Sequence, residues 1–446
     1  MTETIIQPVA TSPMKRVLAI RDFLLLWIGQ STSLLGDQFH FIALSWLVLK
    51  MTGDPLALGV VMAVGGIPRA IFTVIGGAIT DRISPRQVML ISDIIRLFIS
   101  ALLAVQVLTG TLQVWMIYVY SLVSGVVSGA FAPASMSITP RLVPSEDLQA
   151  GNSLMQGSMQ LISFVGPAAA GAMIAVFPDV KVGVSLAMAF DACTFIVSVV
   201  TLWMMKVGGE VIAARKTGSV NMFGSIRDGI AFMFKDPALR AMFILIAVAN
   251  FAFGGPVIVG VPYLSNTRFV EGAAAFGLIM SGYAGGNFLG ILLSGMLPKL
   301  SQKLMKVFMV VMFAGFGVGL GALAWINITG AAMADMFILG VLNGYLSILL
   351  ITGLQRSTPK EMLGRIMSMV LLANLGLMPL SQAIAGAMLR WDIPVLFLAA
   401  GGMLLACAVY LALPGINSLL TTRLLSEPPE SVQSSKEVEQ IESEVA

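Results

Sequence analysis

Long apolar runs separated by short polar breaks dominate this chain. A helix needs about 20 mostly apolar residues to cross a bilayer. By that ruler twelve spans are predicted, at 23–49, 56–80, 87–109, 113–139, 153–177, 184–206, 238–264, 273–297, 305–326, 331–355, 366–390 and 393–413. Lengths beyond the minimum allow for tilt. The runs fall into two sets of six, which predicts five segments: a cytoplasmic N-terminal segment 1–22, an N-terminal six-helix bundle 23–206, a cytoplasmic linker 207–237, a C-terminal six-helix bundle 238–414 and a cytoplasmic tail 415–446. In the linker, Phe223, Ile226, Ile230 and Phe234 recur at helical spacing beside Arg227, Asp228 and Lys235. That pattern suits an amphipathic helix at the membrane surface, and a docked connector fits it at least as well as a regulatory element. The tail gathers Glu427, Glu430, Glu437, Glu439, Glu442 and Glu444 around Pro428 and Pro429 and is read as disordered.

Composition turns this pattern into a class. Hydrophobic residues make up 57% of 446, charged residues 11%, and the mean hydropathy is +0.92. A soluble domain carries about 25% charged residues, so the bilayer must solvate this chain. The run from Phe23 to Leu49 is too long for the apolar core of a cleavable signal and reads as the first span. Cys193 and Cys407 lie in apolar stretches without metal-ligand or redox spacing, and read as packing residues.

Charge placement sets the expected orientation. With the N-terminus in the cytoplasm, the basic residues concentrate in inside segments, leaving Lys50, Lys181, Arg268 and Arg390 outside and Arg69 and Arg96 within spans. This is the positive-inside bias. It predicts both termini in the cytoplasm, with the plasma (inner) membrane as the expected location.

The two sets of spans are also similar in sequence. An offset of 218 aligns ALGVVMAVGGIPRAIFTVIGGA (57–78) with AFGLIMSGYAGGNFLGILLSGM (275–296), so that Asn287 is the counterpart of Arg69. An offset of 215 aligns Arg141, Pro144, Glu146 and Leu148 with Arg356, Pro359, Glu361 and Leu363, after the fourth span of each set. Duplication explains both matches, and two parallel halves predict a substrate site between them at the midplane.

GGAITDRISPR (76–86) concentrates charge between spans two and three. Gly77 allows close helix approach, Asp81 suits a helix N-terminus, and Arg82 and Arg86 suit carboxylates or terminal carbonyls. A latch that breaks on opening accounts for the whole set, whereas simple positive-inside anchoring accounts only for the arginines. The second half has Lys299 in place of the acid, so any latch there is weaker. Gly77-x-x-x-Asp81-Arg82-x-x-x-Arg86 resembles the signature of the major facilitator superfamily, with Ser84-Pro85 replacing its usual glycine. That resemblance implies an all-α integral membrane fold of twelve transmembrane helices in two pseudo-symmetric six-helix bundles. GPAAAG, containing Gly166, Pro167 and Gly171, resembles the superfamily's antiporter motif with fewer glycines; its proline would bend span five, and a plain packing kink fits as well. Residues 23–61, 141–154 and 355–365 resemble the drug:proton antiporter-3 group, which includes macrolide-efflux proteins, siderophore exporters and lysophospholipid flippases.

An ionisable side chain within a span costs roughly 2.5–3.5 kcal/mol on insertion scales. Asp37, Arg69, Asp93, Arg96 and Asp191 all fall in the N-terminal half, against only Asp335 near an outer edge of the other. They are the candidate proton-coupling groups. Asp37 leads them because Gln30, Ser33 and His40 extend a polar stripe along its helix, expected to line a cavity. Arg69 and Arg96 are its expected partners, although Asp93 and Arg96 are close enough to pair with each other. Asp191 heads a stripe of Thr194, Ser198 and Thr201. His40 could shuttle protons or be a hydrogen-bonded interior histidine. In the second half Asn250, Tyr283, Asn287, Asn343, Asn374 and Gln382 are neutral, which suits an amphipathic organic substrate.

No hydrolase, zinc-protease or phosphate-loop motif is present, so neither an enzyme nor an ATP-driven pump is expected. Metal, cofactor and nucleic acid are not expected either. The expected partners are lipid, protons and a small amphipathic substrate, with the chain as a monomer. The leading expectation is proton-coupled drug efflux by alternating access. A lipid flippase or siderophore exporter of the same fold is the alternative, and a non-transporting receptor is less favoured.

Overall fold

The computed structural model describes residues 12–80, 83–206, 235–297, 301–358 and 360–425. Among these residues every regular element is helical. The order is α1 (Pro13–Ala19), α2 (Arg21–Thr52), α3 (Pro55–Thr80), α4 (Pro85–Thr109), α5 (Val114–Leu142), α6 (Leu148–Val176) and α7 (Val180–Met204). Then α8 (Pro237–Gly255) passes through a π-helical turn, Pro256–Gly260, into α9 (Val261–Thr267). After these come α10 (Ala273–Met296), α11 (Gln302–Ala322), α12 (Thr329–Ser357), α13 (Lys360–Leu389), α14 (Ile393–Ala412) and α15 (Pro414–Leu425). Eleven spans, counting α8–α9 as one, are long and apolar enough to cross a bilayer; α1 and α2, which meet at 91°, bring the number to twelve. Helices are the solution hydrocarbon demands, because every backbone polar group is then satisfied within its own segment.

One terminal segment differs from expectation. Residues 414–425, placed mostly in the disordered tail, form α15, which packs against α8, α11, α12 and α14. Asn417 Nδ2 donates to the Lys306 carbonyl at 3.2 Å, and Gln302 Nε2 to Thr422 Oγ1 at 2.9 Å. The N-terminal segment contains α1, tied by Arg16 to Asp147 in the loop between α5 and α6. That guanidinium, hydrogen-bonded to the acid, holds the Asp147 carboxyl below the usual aspartate range. The amphipathic stretch 223–234 and the acidic tail from 426 lie outside the described residues.

The sequence repeat reappears as packing. Helix α3 lies along α5 as α10 lies along α12, and α4 lies along α7 as α11 lies along α14. The register is repeated too. Gly125 and Gly129 of α5 press on the backbone of Gly65 and Arg69, while Gly340 and Gly344 of α12 press on that of Tyr283 and Asn287. These pairs are related by the same offsets, 218 on one helix and 215 on the other. A side chain at any of the four α5 and α12 glycines would collide with a neighbouring backbone, so glycine is what lets the helices approach.

The halves α2–α7 and α8–α14 meet along α3 with α13 and along α6 with α10. Their glycine approaches lie in the halves of these helices away from α1 and α15: Gly59 and Gly386 at one seam, Gly171 and Gly277 at the other. At the rim of that far end, Arg390 after α13 forms a bidentate ion pair with Asp54 before α3, with distances of 2.6 and 2.9 Å.

Candidate functional site

Four of the five ionisable residues predicted within the first half gather in two bonded groups close enough for their charges to interact. Asp37 and His40 come from α2, Asp93, Arg96 and Ser100 from α4, and Asp191 and Ser198 from α7. Arg96 pairs with Asp37 through Nη2, and its Nη1 lies 3.7 Å from Asp93 Oδ1. The guanidinium also lies against the rings of Phe195 and Phe131, at 4.4 and 5.8 Å from their centroids, as cation–π attraction favours. Ser198 Oγ donates to Asp93 Oδ2 at 2.6 Å. Asp191 Oδ2 accepts from Ser100 Oγ at 2.6 Å and lies 3.1 Å from His40 Nδ1.

Exposure separates the three acids. The Asp37 side chain is 37% exposed, whereas those of Asp93 and Asp191 are 0% and 1%. Helix α2 touches α9 and α10 of the opposite lobe, so the accessible carboxylate sits on a helix at the boundary between lobes. Three acids against one arginine and one histidine leave an excess of negative groups where ionisation is costly.

Several expectations need correction. Arg69 is exposed and forms no ion pair with Asp37 among the described residues, although its charge still acts on that carboxyl. Ser33 is 3% exposed and does not line open space, and the Gln30 Nε2 is buried. Thr194 and Thr201 donate within their own helix to Asp191 and Ser198 carbonyls, and their hydroxyls face Gly36 and Gly29 of α2. That threonine stripe is a packing surface because the two glycines draw α2 onto it.

The second lobe provides a different wall. A cavity of about 280 Å³ is lined by Asn250, Tyr283, Asn343 and Asn374 among apolar and aromatic neighbours. Phe253 lies between Tyr283 and Phe316, with centroids 5.0 and 5.1 Å away. Asn343 Oδ1 accepts from Tyr283 Oη at 3.1 Å and from Asn287 Nδ2 at 3.0 Å. A second cavity, about 390 Å³, shares Tyr283, Asn343 and Ser347 with the first and adds Asn287 with Gln160 and Ser163 of α6. Gln160, Ser163 and Ser347 were not anticipated, since single hydroxyls and amides in apolar helices produce no periodic signal. Gln382 is buried at the α13–α3 seam rather than in either cavity.

The two short motifs sit on helix seams. Arg86 Nε donates to the Leu202 carbonyl and Nη2 to that of Trp203, both at 2.7 Å. It therefore neutralises the C-terminus of α7 within its own lobe, where a cation is favoured. Gly77 belongs to α3, while Asp81 and Arg82 lie outside the described residues. Helix α6 continues through Pro167. Gly166 faces the Gln38 side chain, Gly171 meets Ala273 and Gly277, and the Ala168 amide donates to Ser281 Oγ at 2.9 Å. The Gly-Pro segment is thus a contact between lobes.

This combination, two related helical lobes with charge in one and a neutral aromatic cavity in the other, defines a class of membrane transporter. The family model for the Major Facilitator Superfamily matches residues 26–381, and the chain belongs to that superfamily. It is a transporter rather than an enzyme. It is 22% identical over 305 residues to macrolide efflux protein A of Streptococcus pyogenes, covering 68% of this chain and 73% of that protein. It is 23% identical over 369 residues to the multidrug efflux pump Tap of Mycolicibacterium fortuitum, covering 81% and 88%. The crystal structure of the nucleoside transporter NupG superposes with a TM-score of 0.68 at 14% identity, covering 87% of this chain and 98% of that one.

Proposed function

We propose that the chain is a proton-coupled exporter of amphipathic organic compounds, exchanging protons for drug-like or macrolide-like molecules by alternating access. The observation that carries this reading is the division between lobes. Two carboxylates held out of water, Asp93 and Asp191, and an accessible one, Asp37, occupy one lobe. A neutral aromatic and amide cavity occupies the other. A cationic amphiphile could place its charge near the first and its apolar body in the second. Relatives named for macrolide and multidrug efflux support this choice of cargo. The end bearing α1 and α15 is assigned to the cytoplasm of an inner membrane, on the basic residues gathered there, and the chain acts as a monomer. Asp81 and Arg82 are assigned the latch between lobes at that end, with Arg86 as its anchor. A lysolipid flippase is the second reading, favoured by the cavity that α6 of one lobe shares with α10 and α12 of the other.

Asp37 is assigned the principal proton-coupling role. In proteoliposomes, Asp37→Asn is expected to lose ethidium transport driven by a pH gradient. Native transport by that variant removes Asp37 from the role. Lysolipid movement that ignores the pH gradient favours the flippase.

A further inference from the structure

The charged network contains an unequal division that the exchange reading alone does not require. Arg96 has two carboxylate neighbours but one short contact. Its Nη2 is on Asp37, while Asp93 Oδ1 stands 3.7 Å from Nη1 and accepts no hydrogen bond among the described residues. Asp93 is fully buried and has only the Ser198 hydroxyl on its other oxygen. An ionised carboxylate so placed is expensive, so Asp93 is the acid of this group best suited to hold a proton. Asp191 also has one oxygen that accepts no hydrogen bond among the described residues, but its other oxygen has two partners, the Ser100 hydroxyl and the His40 ring, where that of Asp93 has one. Arg69, from α3, is exposed and acts on Asp37 only at a distance, as a cation present both before and after the step, and α5 contributes the Phe131 ring to the guanidinium. Asp37, His40, Asp93, Arg96 and Asp191 are therefore the buried or half-buried charges to be balanced.

We propose that Arg96 is a shared counter-ion that moves from Asp37 to Asp93 when a cationic substrate arrives, and that the displaced proton leaves from Asp93. This rests on the exchange reading above and deepens it. Asp37 becomes the subsite for the substrate's positive charge. The sum of charges supports the step. Before binding, ionised Asp37 and Arg96 cancel and Asp93 is neutral. Afterwards the substrate cation cancels Asp37, Arg96 cancels ionised Asp93, and the proton has passed to water in the cleft. Over Asp37, Arg96, Asp93 and the substrate both states have zero net charge, and the step leaves the charge of Asp191 and His40 unchanged. The required shift is small: closing 3.7 Å to a charge-assisted hydrogen bond takes about 1 Å. Phe195 and Phe131 lie along the guanidinium, guiding it between the two acids.

Ethidium is the probe, because its charge is permanent and any proton released comes from the protein. Purified full-length protein in weakly buffered detergent is titrated with ethidium while binding and acidification are followed together. The wild type is expected to release protons in step with binding. Asp93→Asn is expected to bind ethidium and release none. Arg96→Lys should also lose release, because a point charge cannot hold both acids in turn as a fork does. Native release from Asp93→Asn overturns this proposal and leaves proton exchange standing. A wild type that binds without release, or does not bind, overturns the exchange reading itself. Should Asp93→Asn fail to fold, the infrared difference spectrum of the wild type decides. Ethidium should remove a protonated-carboxyl band whose frequency is shifted in Ser198→Ala, and absence of that loss overturns the proposal.

Discussion

Gly36 shows how much a single position can carry. A Cβ built there meets the Thr194 hydroxyl and comes within 2.6 Å of Asp191 Oδ1, so α2 lies against α7 only while the position has no side chain. Gly36→Ala is expected to lower stability by about 1–3 kcal/mol, the usual cost of overpacking, and to disturb the Asp191 contacts with His40 and Ser100. Gly157→Ala is the matched control. Nothing lies within 4 Å of its Cβ, and relief of a helical glycine should stabilise by roughly 0.5–1 kcal/mol. Thermal unfolding in detergent of the two variants should therefore move in opposite directions. At this scale the sequence is informative where charge is scarce. Asp37 and Arg96 could be matched because an ion inside a span has few affordable partners. The Asp191–His40–Ser100 grouping could not be read the same way. It depends on the rotation of three helices about their axes, and a threonine stripe looks alike whether it faces a cavity or a glycine.

Between elements, the Asp54–Arg390 pair is the counterpart at the far end to any latch near the termini. Its partners are 336 residues apart and lie in two loops, which is why the sequence placed Arg390 outside without finding its acid. The guanidinium's hydrogen bonds hold the Asp54 carboxyl below the usual aspartate range. A depressed folded value means that the pair's contribution is complete above the ordinary aspartate range and is lost as pH falls through the depressed value. Removing the pair by Asp54→Asn should have the same effect at neutral pH, favouring separation at that end. In a background of Cys193→Ser and Cys407→Ser, a cysteine replacing buried Gln382 should then react faster with a polar thiol reagent. Exchange of the charges, Asp54→Arg with Arg390→Asp, should restore protection. Helix α15 was missed for another reason. Residues after Pro414 mix hydroxyls with leucines and lack the long apolar run that announces a span, so only packing against four neighbours identifies the helix.

For the whole molecule, twelve spans were legible because hydrocarbon imposes a length on each apolar run, and the repeat was legible because two offsets agreed. The relation between lobes was not, since it depends on which glycines meet. Orientation is read directly by fusions. A green fluorescent protein fused after residue 425 should fluoresce, and a periplasmic phosphatase at the same place should be inactive; the reverse result would invert the assigned topology.

Arg69 and Asn287 occupy equivalent seats, each with an equivalent glycine pressed against its backbone. Because the scaffold beneath them is the same, a duplicated gene needed no new architecture to give its copies different trades. One copy could keep its buried charges while the other drifted among neutral side chains. The lining of one half could then change without disturbing the charges of the other.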